Sequence, residues 1–414
     1  MNNVLNTIND STIKRLVRDY GSPLYLFDEQ GFRDNLLHLR AAFRAVYEKY
    51  NVAYSFKTNY TPYICNIIKE EGGIAEVVSD MEFYLAMKLG FKYSKIIYNG
   101  PCKGDRLNNF LLNGGLSNID NVDEAERVVE WAKANPKIII NVGVRLNLDI
   151  DAGYVSRFGI EYDSEDLRYV FGLLKQVSNI HVKGLHIHIS RARGIEAWAK
   201  RIGLMLECAD KYFDEAPDYI DVGSGMFAEM DDFLADQFSC HIPTYEEYAE
   251  IVGGVMAKHY ANSTKKPQLL SEPGTTVIAR YMSLITRVNN IKEVRGHCFA
   301  TVDSSYYNTG EIVKMKQLPY RIIKGANNGK ASIAGKTDVM GFTCLEQDKI
   351  FIGFPKKLHV GDLIVFGNVG GYSIVSKPPF IHPNCRMLAF NNDSEYKEIM
   401  REQTFEDIYQ TFVY

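Results

Sequence analysis

The sequence has no paired-cysteine pattern. Its cysteines stand at 65, 102, 208, 240, 298, 344 and 385, an odd number with no CxxC pair among them. Neither a disulfide framework nor a structural zinc site is therefore expected. Positive charge is not in excess: 47 Lys and Arg face 51 Asp and Glu, a formal net charge of -4. That balance argues against a dedicated nucleic-acid or anionic-membrane surface. No apolar run approaches the length of a membrane span, and the opening MNNVLNTINDSTIKRL has no apolar signal core. We expect a soluble, cytoplasmic protein. No internal repeat or low-complexity linker interrupts the chain of 414 residues. What is present is ordinary for a globular protein, 46% hydrophobic and 24% charged, enough for a large core and two domains.

The order of apolar segments suggests an architecture. A short helix around 10–19 and a strand at 23–27 come first. Phe32, Leu36, Leu39, Phe43 and Val46 then recur at helical steps, which predicts an amphipathic helix over 29–48. Strand-like runs alternate with helical stretches at 51–57, 74–78, 95–99, 116–120, 137–146, 181–189, 218–223 and 268–272. Eight strands separated by helices is the layout of a (β/α)8 barrel, with a doubly wound open sheet as the alternative. Beyond about 280 the segments YMSLITRV, KIFIGF and GDLIVFGNV are short and β-like, split by turn residues. We expect a barrel over 29–280 and a β-domain built from 1–28 and 281–414, closed by a helix over 394–408.

In such barrels chemistry sits at the C-terminal ends of the strands. Those ends carry Lys57, Glu76 and Ser79, Arg145 and Asn147, His186 and His188, Gly223-Ser224-Gly225, and Glu272-Pro273-Gly274-Thr275. Glycine loops after strands seven and eight can cradle a phosphate on backbone N–H groups, although Gly223 and Gly225 also suit a plain tight turn. A lysine whose pKa is lowered by burial can form a Schiff base with a carbonyl; a snorkelling or ion-paired lysine is the bland alternative for Lys57. A phosphate site beside a reactive lysine points to pyridoxal 5'-phosphate, and Glu272 could then face the ring nitrogen. His186 and His188 share a strand face; a zinc pair lacks a third ligand at matching spacing, and His186 also suits a core role.

Taken together, these segments resemble the fold-type III pyridoxal-phosphate decarboxylases, which include the diaminopimelate, ornithine and arginine decarboxylases. YSFKTN is similar to their YAxKAN-like lysine motif, RLNLD and SRFGI to RVNPD and SKFGI, and GLHIHIS to GLHFHIGS. VGSGM stands at their GGG, SEPGT at EPGR, GFTCLEQD at GPxCESxD and GGYSI at GAYG, in the same order over roughly 20–390. The resemblance implies an alanine racemase-like architecture of TIM barrel plus β-domain. It implies that Lys57 holds the cofactor, His188 stacks on its ring, Glu272 pairs with the ring nitrogen and Arg145 lies near both. Gly223, Ser224, Gly225, Gly274, Thr275 and Tyr372 would line the phosphate. Cys344 would protonate Cα after carbon dioxide leaves, reaching into the partner's site in an obligate homodimer.

Several positions depart from that pattern. Thr275 replaces the arginine of EPGR, and Leu345 replaces the acid that recognises the distal amine of diamino substrates. Arg191 and Arg193 enter where the family is neutral, so one of them is expected to replace the lost charge or bind an anionic substrate group. Asp303 and Glu346 are candidate partners for a distal amine, or solvated surface carboxylates. The expected activity is α-decarboxylation of an amino acid or amino-acid-derived metabolite. A racemase or epimerase on the same fold is the alternative, and a non-catalytic regulatory relative is the third.

Overall fold

The computed structural model describes residues 4–325, 331–391 and 395–413. Two compact units emerge. One comprises residues 36–227 and 241–276; the other gathers 1–35, 228–240 and 277–414.

The first unit is a closed parallel barrel. Its strands are β1 (Tyr50–Ser55), β2 (Ile74–Val77), β3 (Ile96–Tyr98), β4 (Leu116–Ile119), β5 (Ile140–Asn147), β6 (Ile180–His186), β7 (Tyr219–Asp221) and β8 (Gln268–Ser271). Each pairs in parallel with the next, and β8 returns to β1. All eight correspond in order to the runs expected from the sequence, with differences at their ends: β5 starts at Ile140 rather than 137, and β6 stops at His186 rather than 189, so His188 follows the strand instead of sharing its face. The strand β1 ends at Ser55, and Phe56–Thr58 forms a 3-10 turn that carries Lys57 off the sheet.

Closure explains the composition of these strands. A parallel strand covered on both faces has no solvent side, so all six residues of β1 are buried, polar Asn51 and Ser55 included. Ala53, Ile74, Ile97, Tyr219 and Leu270, from five different strands, form one buried cluster. Helices return the chain between strands, and their starts are set by side-chain caps. Ser79, Asn121, Ser164 and Thr244 each accept the N–H three residues ahead, satisfying a donor the helix leaves free.

The second unit is a mixed sheet. Strand Leu24–Asp28 lies between Met282–Val294, antiparallel, and Met387–Phe390, parallel. His297–Val302, Thr337–Met340 and Lys349–Phe351 extend one side, Tyr396–Met400 the other, and Leu363–Phe366 bridges Met282–Val294 to Tyr320–Ile323. Its core joins Leu5, Ile13, Leu16 and Val17 to Leu24, Leu26, Ile285, Val365 and Leu388. The expected closing helix over 394–408 is corrected here. Residue 394 lies outside the described residues, Tyr396–Met400 is a strand on Met387–Phe390, and only Phe405–Tyr409 is helical. Pairing with a waiting strand edge overrides the local helical reading. Among the described residues, no helix is long and apolar enough to cross a membrane.

Candidate active site

The strand ends of the barrel gather the charged groups. Lys57 extends from the turn after β1, its side chain 28% exposed, and its Nζ lies 2.5 Å from Oε2 of Glu76, which is 1% exposed. The same Oε2 accepts the Ser55 hydroxyl, and Asn99 Nδ2 reaches Oε1 at 3.2 Å. Glu76 thus holds the lysine amine in place while keeping its own charge satisfied.

Glu272 follows β8 and is 1% exposed. Asn99 Nδ2 donates to its Oε1 at 2.5 Å, His186 Nε2 lies 3.1 Å from Oε2, and His188 Nδ1 lies 3.9 Å from the same oxygen. Burial opposes its ionisation, but His186 and then Lys57 outweigh burial and hold the carboxyl below the ordinary range. Asp221, at the end of β7, goes the other way. Burial, then the neighbouring Glu272, push its carboxyl well up. Two buried carboxyl groups this close share one proton; Asp221 keeps it and Glu272 is the anion. Burial and then Lys57 push His188 well below the usual histidine range, so it is a neutral ring at the site.

His186, Asp221 and Glu272 present ligand atoms within 4.8 Å of one another. His188 is not part of this group, so it brings together one histidine and two carboxyl groups rather than completing a site for the histidine pair. Asp221 Oδ1 accepts the Gly223 N–H at 2.9 Å and Glu272 Oε1 the Asn99 amide.

The glycine turn after β7 takes φ +61° at Gly223 and +105° at Gly225. A side chain at either would strike the carbonyl oxygens of Ile187 or Ile189, and Ser224 N–H donates to His188 Nδ1 at 3.2 Å. Gly274 lies against the Thr58 hydroxyl, with no room for a Cβ, and Thr275 opens the helical turn that follows. Lys57, His188, Glu272 and both glycine segments therefore meet on one rim. Arg145 is close by, buried, donating to Asp120 Oδ1 at 2.9 Å with its guanidinium 4.8 Å from the Phe158 ring. Arg191 is exposed over Tyr154 at 5.8 Å, while Arg193 lies over Phe227 at 5.2 Å.

This donor set fits pyridoxal 5'-phosphate: a lysine amine, an ionised buried carboxylate suited to a protonated ring nitrogen, a neutral imidazole, and backbone laid bare by glycine. Glu76 was named from the sequence as a strand end but given no role, and Asn99 and Asp221 were not singled out at all. Both stand where barrel strands end, so the strand-end rule applied evenly would have found them.

In the β-unit, Cys344 and Glu346 are exposed on the loop 341–348. Buried Asp348 pins that loop, accepting Tyr306 N–H at 2.7 Å and both the N–H and hydroxyl of Thr343. Asp303 is not a free surface carboxylate. Thr286 Oγ1 and Arg287 N–H donate to one oxygen at 2.7 and 2.8 Å, and the Ser22 hydroxyl donates to the other. Tyr372 sits at φ +60°, an uncommon conformation for a bulky residue that the surrounding fold must enforce.

Comparison with known proteins gives a consistent result. Residues 33–279 match the family described as "Pyridoxal-dependent decarboxylase, pyridoxal binding domain". A diaminopimelate decarboxylase of Methanothermobacter thermautotrophicus is 27% identical over 95% of this chain and 92% of its own length. One of Bacteroides thetaiotaomicron is 28% identical over 90% and 95% respectively. The structure of diaminopimelate decarboxylase from M. jannaschii in complex with L-lysine aligns with a TM-score of 0.82 at 22% identity, covering 97% of this chain and 94% of that one.

Proposed function

The chain belongs to the pyridoxal-dependent decarboxylases, and from that premise we propose that Lys57, His188 and Glu272 are the working groups of its active site. The protein is a pyridoxal-phosphate-dependent carboxy-lyase acting on an amino acid. Lys57 would be the covalent attachment point of the cofactor, and the Gly223–Gly225 turn, Gly274 and Thr275 would hold its phosphate. Bound there, the cofactor supplies an electron sink for the bond between Cα and the departing carboxylate.

The chain's own residues set the conditions for that chemistry. Ionised Glu272, fixed in direction by Asn99 and His186, would hold a proton on the ring nitrogen of the bound cofactor. Neutral His188 offers an uncharged face for stacking, and Arg145 lies alongside. Glu76 steadies the Lys57 amine between turnovers. The observation that carries this reading is a buried carboxylate held ionised on the same rim as a lysine amine. An acid at 272, rather than a cation, favours decarboxylation over racemisation.

The proton for Cα would come from Cys344 of a second subunit. Its exposed, rigidly held loop supports a homodimer with shared sites. Glu346, exposed beside it, is the proposed contact for a substrate amine, and Arg191 for an anionic substrate group; Asp303 serves the sheet instead. The free cysteines support a reducing, cytoplasmic compartment. Borohydride treatment should bleach the yellow wild-type protein and leave the reduced pyridoxyl group covalently on Lys57, detected by the mass of the peptide that carries it, and should leave none on Lys57→Ala. Carbon dioxide release from a panel of amino acids should accompany it. Exchange of the Cα hydrogen without carbon dioxide would refute the assignment.

A further inference from the structure

Arg201 is the most deeply buried cation of the barrel unit. It lies in the helix Ile195–Tyr212 with 0% of its surface exposed. Its guanidinium packs on the Trp198 ring at 4.2 Å. Among the described residues it has no carboxylate partner; its bonds all go to backbone carbonyls. It donates to Val222 O at 2.9 Å, Ser224 O at 3.1 Å and Ile189 O at 3.1 Å. A buried charge without a counter-ion is costly. Something must offset it.

The three carbonyls identify what. Val222 and Ser224 flank Gly223, and Ile189 follows His188. In a planar trans peptide the N–H points opposite to the C=O. Fixing Ser224 O and Ile189 O on the guanidinium therefore aims the Gly225 and Ser190 N–H groups away from it, towards the other side of the turn. Among the described residues neither N–H has a partner. The Val222 carbonyl is held likewise, and the Gly223 N–H opposite it is spent on Asp221. The result is two aligned N–H donors with an uncompensated cation behind them, an arrangement made for an anion. Thr275 adds no charge to the rim, Arg193 lies over Phe227 and donates to Ser190 O at 3.2 Å, and Arg191 is exposed over Tyr154.

We propose that Arg201 is the positioning residue of the phosphate site: it shapes the Gly223–Gly225 turn through three carbonyls and supplies, from behind, the positive charge absent at Thr275. This rests on the assignment of that turn to the cofactor phosphate.

The test compares affinities of the apoprotein for pyridoxal 5'-phosphate and for pyridoxal, read by absorbance titration without substrate. Pyridoxal has the aldehyde and ring but no phosphate. In Arg201→Met the preference for the phosphorylated aldehyde should fall about 10- to 100-fold, the worth of one or two charge-assisted contacts. Affinity for pyridoxal should stay within about threefold. Equal weakening of both, or an unchanged preference, overturns the proposal. If Arg201→Met does not fold, Arg201→Lys decides: an ammonium cannot span three carbonyls as the planar fork does, so the preference should still fall at least about fivefold. An undiminished preference there overturns it too. Wild-type protein that takes up both aldehydes equally well would remove the phosphate role while leaving Lys57 intact. Uptake of neither would remove the Lys57 assignment along with it.

Discussion

Replacing Gly223 with alanine puts a number on how tightly the glycine turn is built. The residue sits at φ +61°, where an L-side chain costs about 1–2 kcal/mol. Its new Cβ would overlap the Ile187 carbonyl oxygen and stand 2.8 Å from His188 Cα. Relieving that overlap in a packed barrel costs about 1–3 kcal/mol more. The expected loss is about 2–5 kcal/mol. Gly114 provides the control: φ is +82° there, but nothing lies within 4 Å of the position an added methyl group would take. Gly114→Ala should show only the torsional part, about 1–2 kcal/mol. Urea midpoints of the two apoproteins, monitored in parallel, separate the two contributions. Because the overlap pushes on His188, Gly223→Ala should also weaken cofactor binding at least about tenfold, while Gly114→Ala leaves it unchanged. Equal midpoints for the two variants would show that the contact with Ile187 and His188 carries no cost, and the rim geometry described above would be wrong.

Glu82 makes stability depend on pH. Burial pushes its carboxyl from 4.5 up to about 7. Between those values the folded chain keeps a proton that the unfolded chain has lost, so stability is fullest below pH 4.5 and falls by about 2–3 kcal/mol as pH rises to 7. Glu82→Gln should remove that part of the fall, seen as a smaller difference between the urea midpoints at pH 5 and pH 8 than in the wild type. Lys103 and Glu124 form a buried ion pair at 2.6 Å. Lys103→Met alone should cost about 3–5 kcal/mol, and Lys103→Met with Glu124→Leu much less, in the same denaturation assay. Mixing inactive Lys57→Ala with inactive Cys344→Ala should restore up to about a quarter of wild-type turnover if sites are shared between subunits. No recovery after subunit exchange would refute a shared site.

The barrel was legible because each of its strands is a short apolar run that stops at a polar residue. Lys57, His188 and Glu272 were legible for the same reason: they stand where those runs end. Arg201 was not. It follows Lys200 in the middle of an amphipathic helix and reads as one more polar residue; only the fold turns it inward. Asp221 was hidden by the glycines beside it, and its proton follows from the nearness of Glu272, distant in sequence. Residues 228–240 belong to the β-unit through contacts such as Phe233 against Tyr320 and Phe351, which no local pattern announces. The strand at Tyr396–Met400 depends likewise on a partner edge, Met387–Phe390, that its own composition does not name.

The placement of Leu24–Asp28 between Met282–Val294 and Met387–Phe390 has a consequence for biosynthesis. This segment leaves the ribosome early, yet both of its neighbours are translated after more than half of the message has been read. At ordinary elongation speeds the nascent chain must carry an unsheltered, largely apolar edge for on the order of ten seconds or more. Overproduction should therefore be sensitive to chaperone supply, and a premature stop anywhere before the last hundred codons should yield aggregates rather than a shortened enzyme.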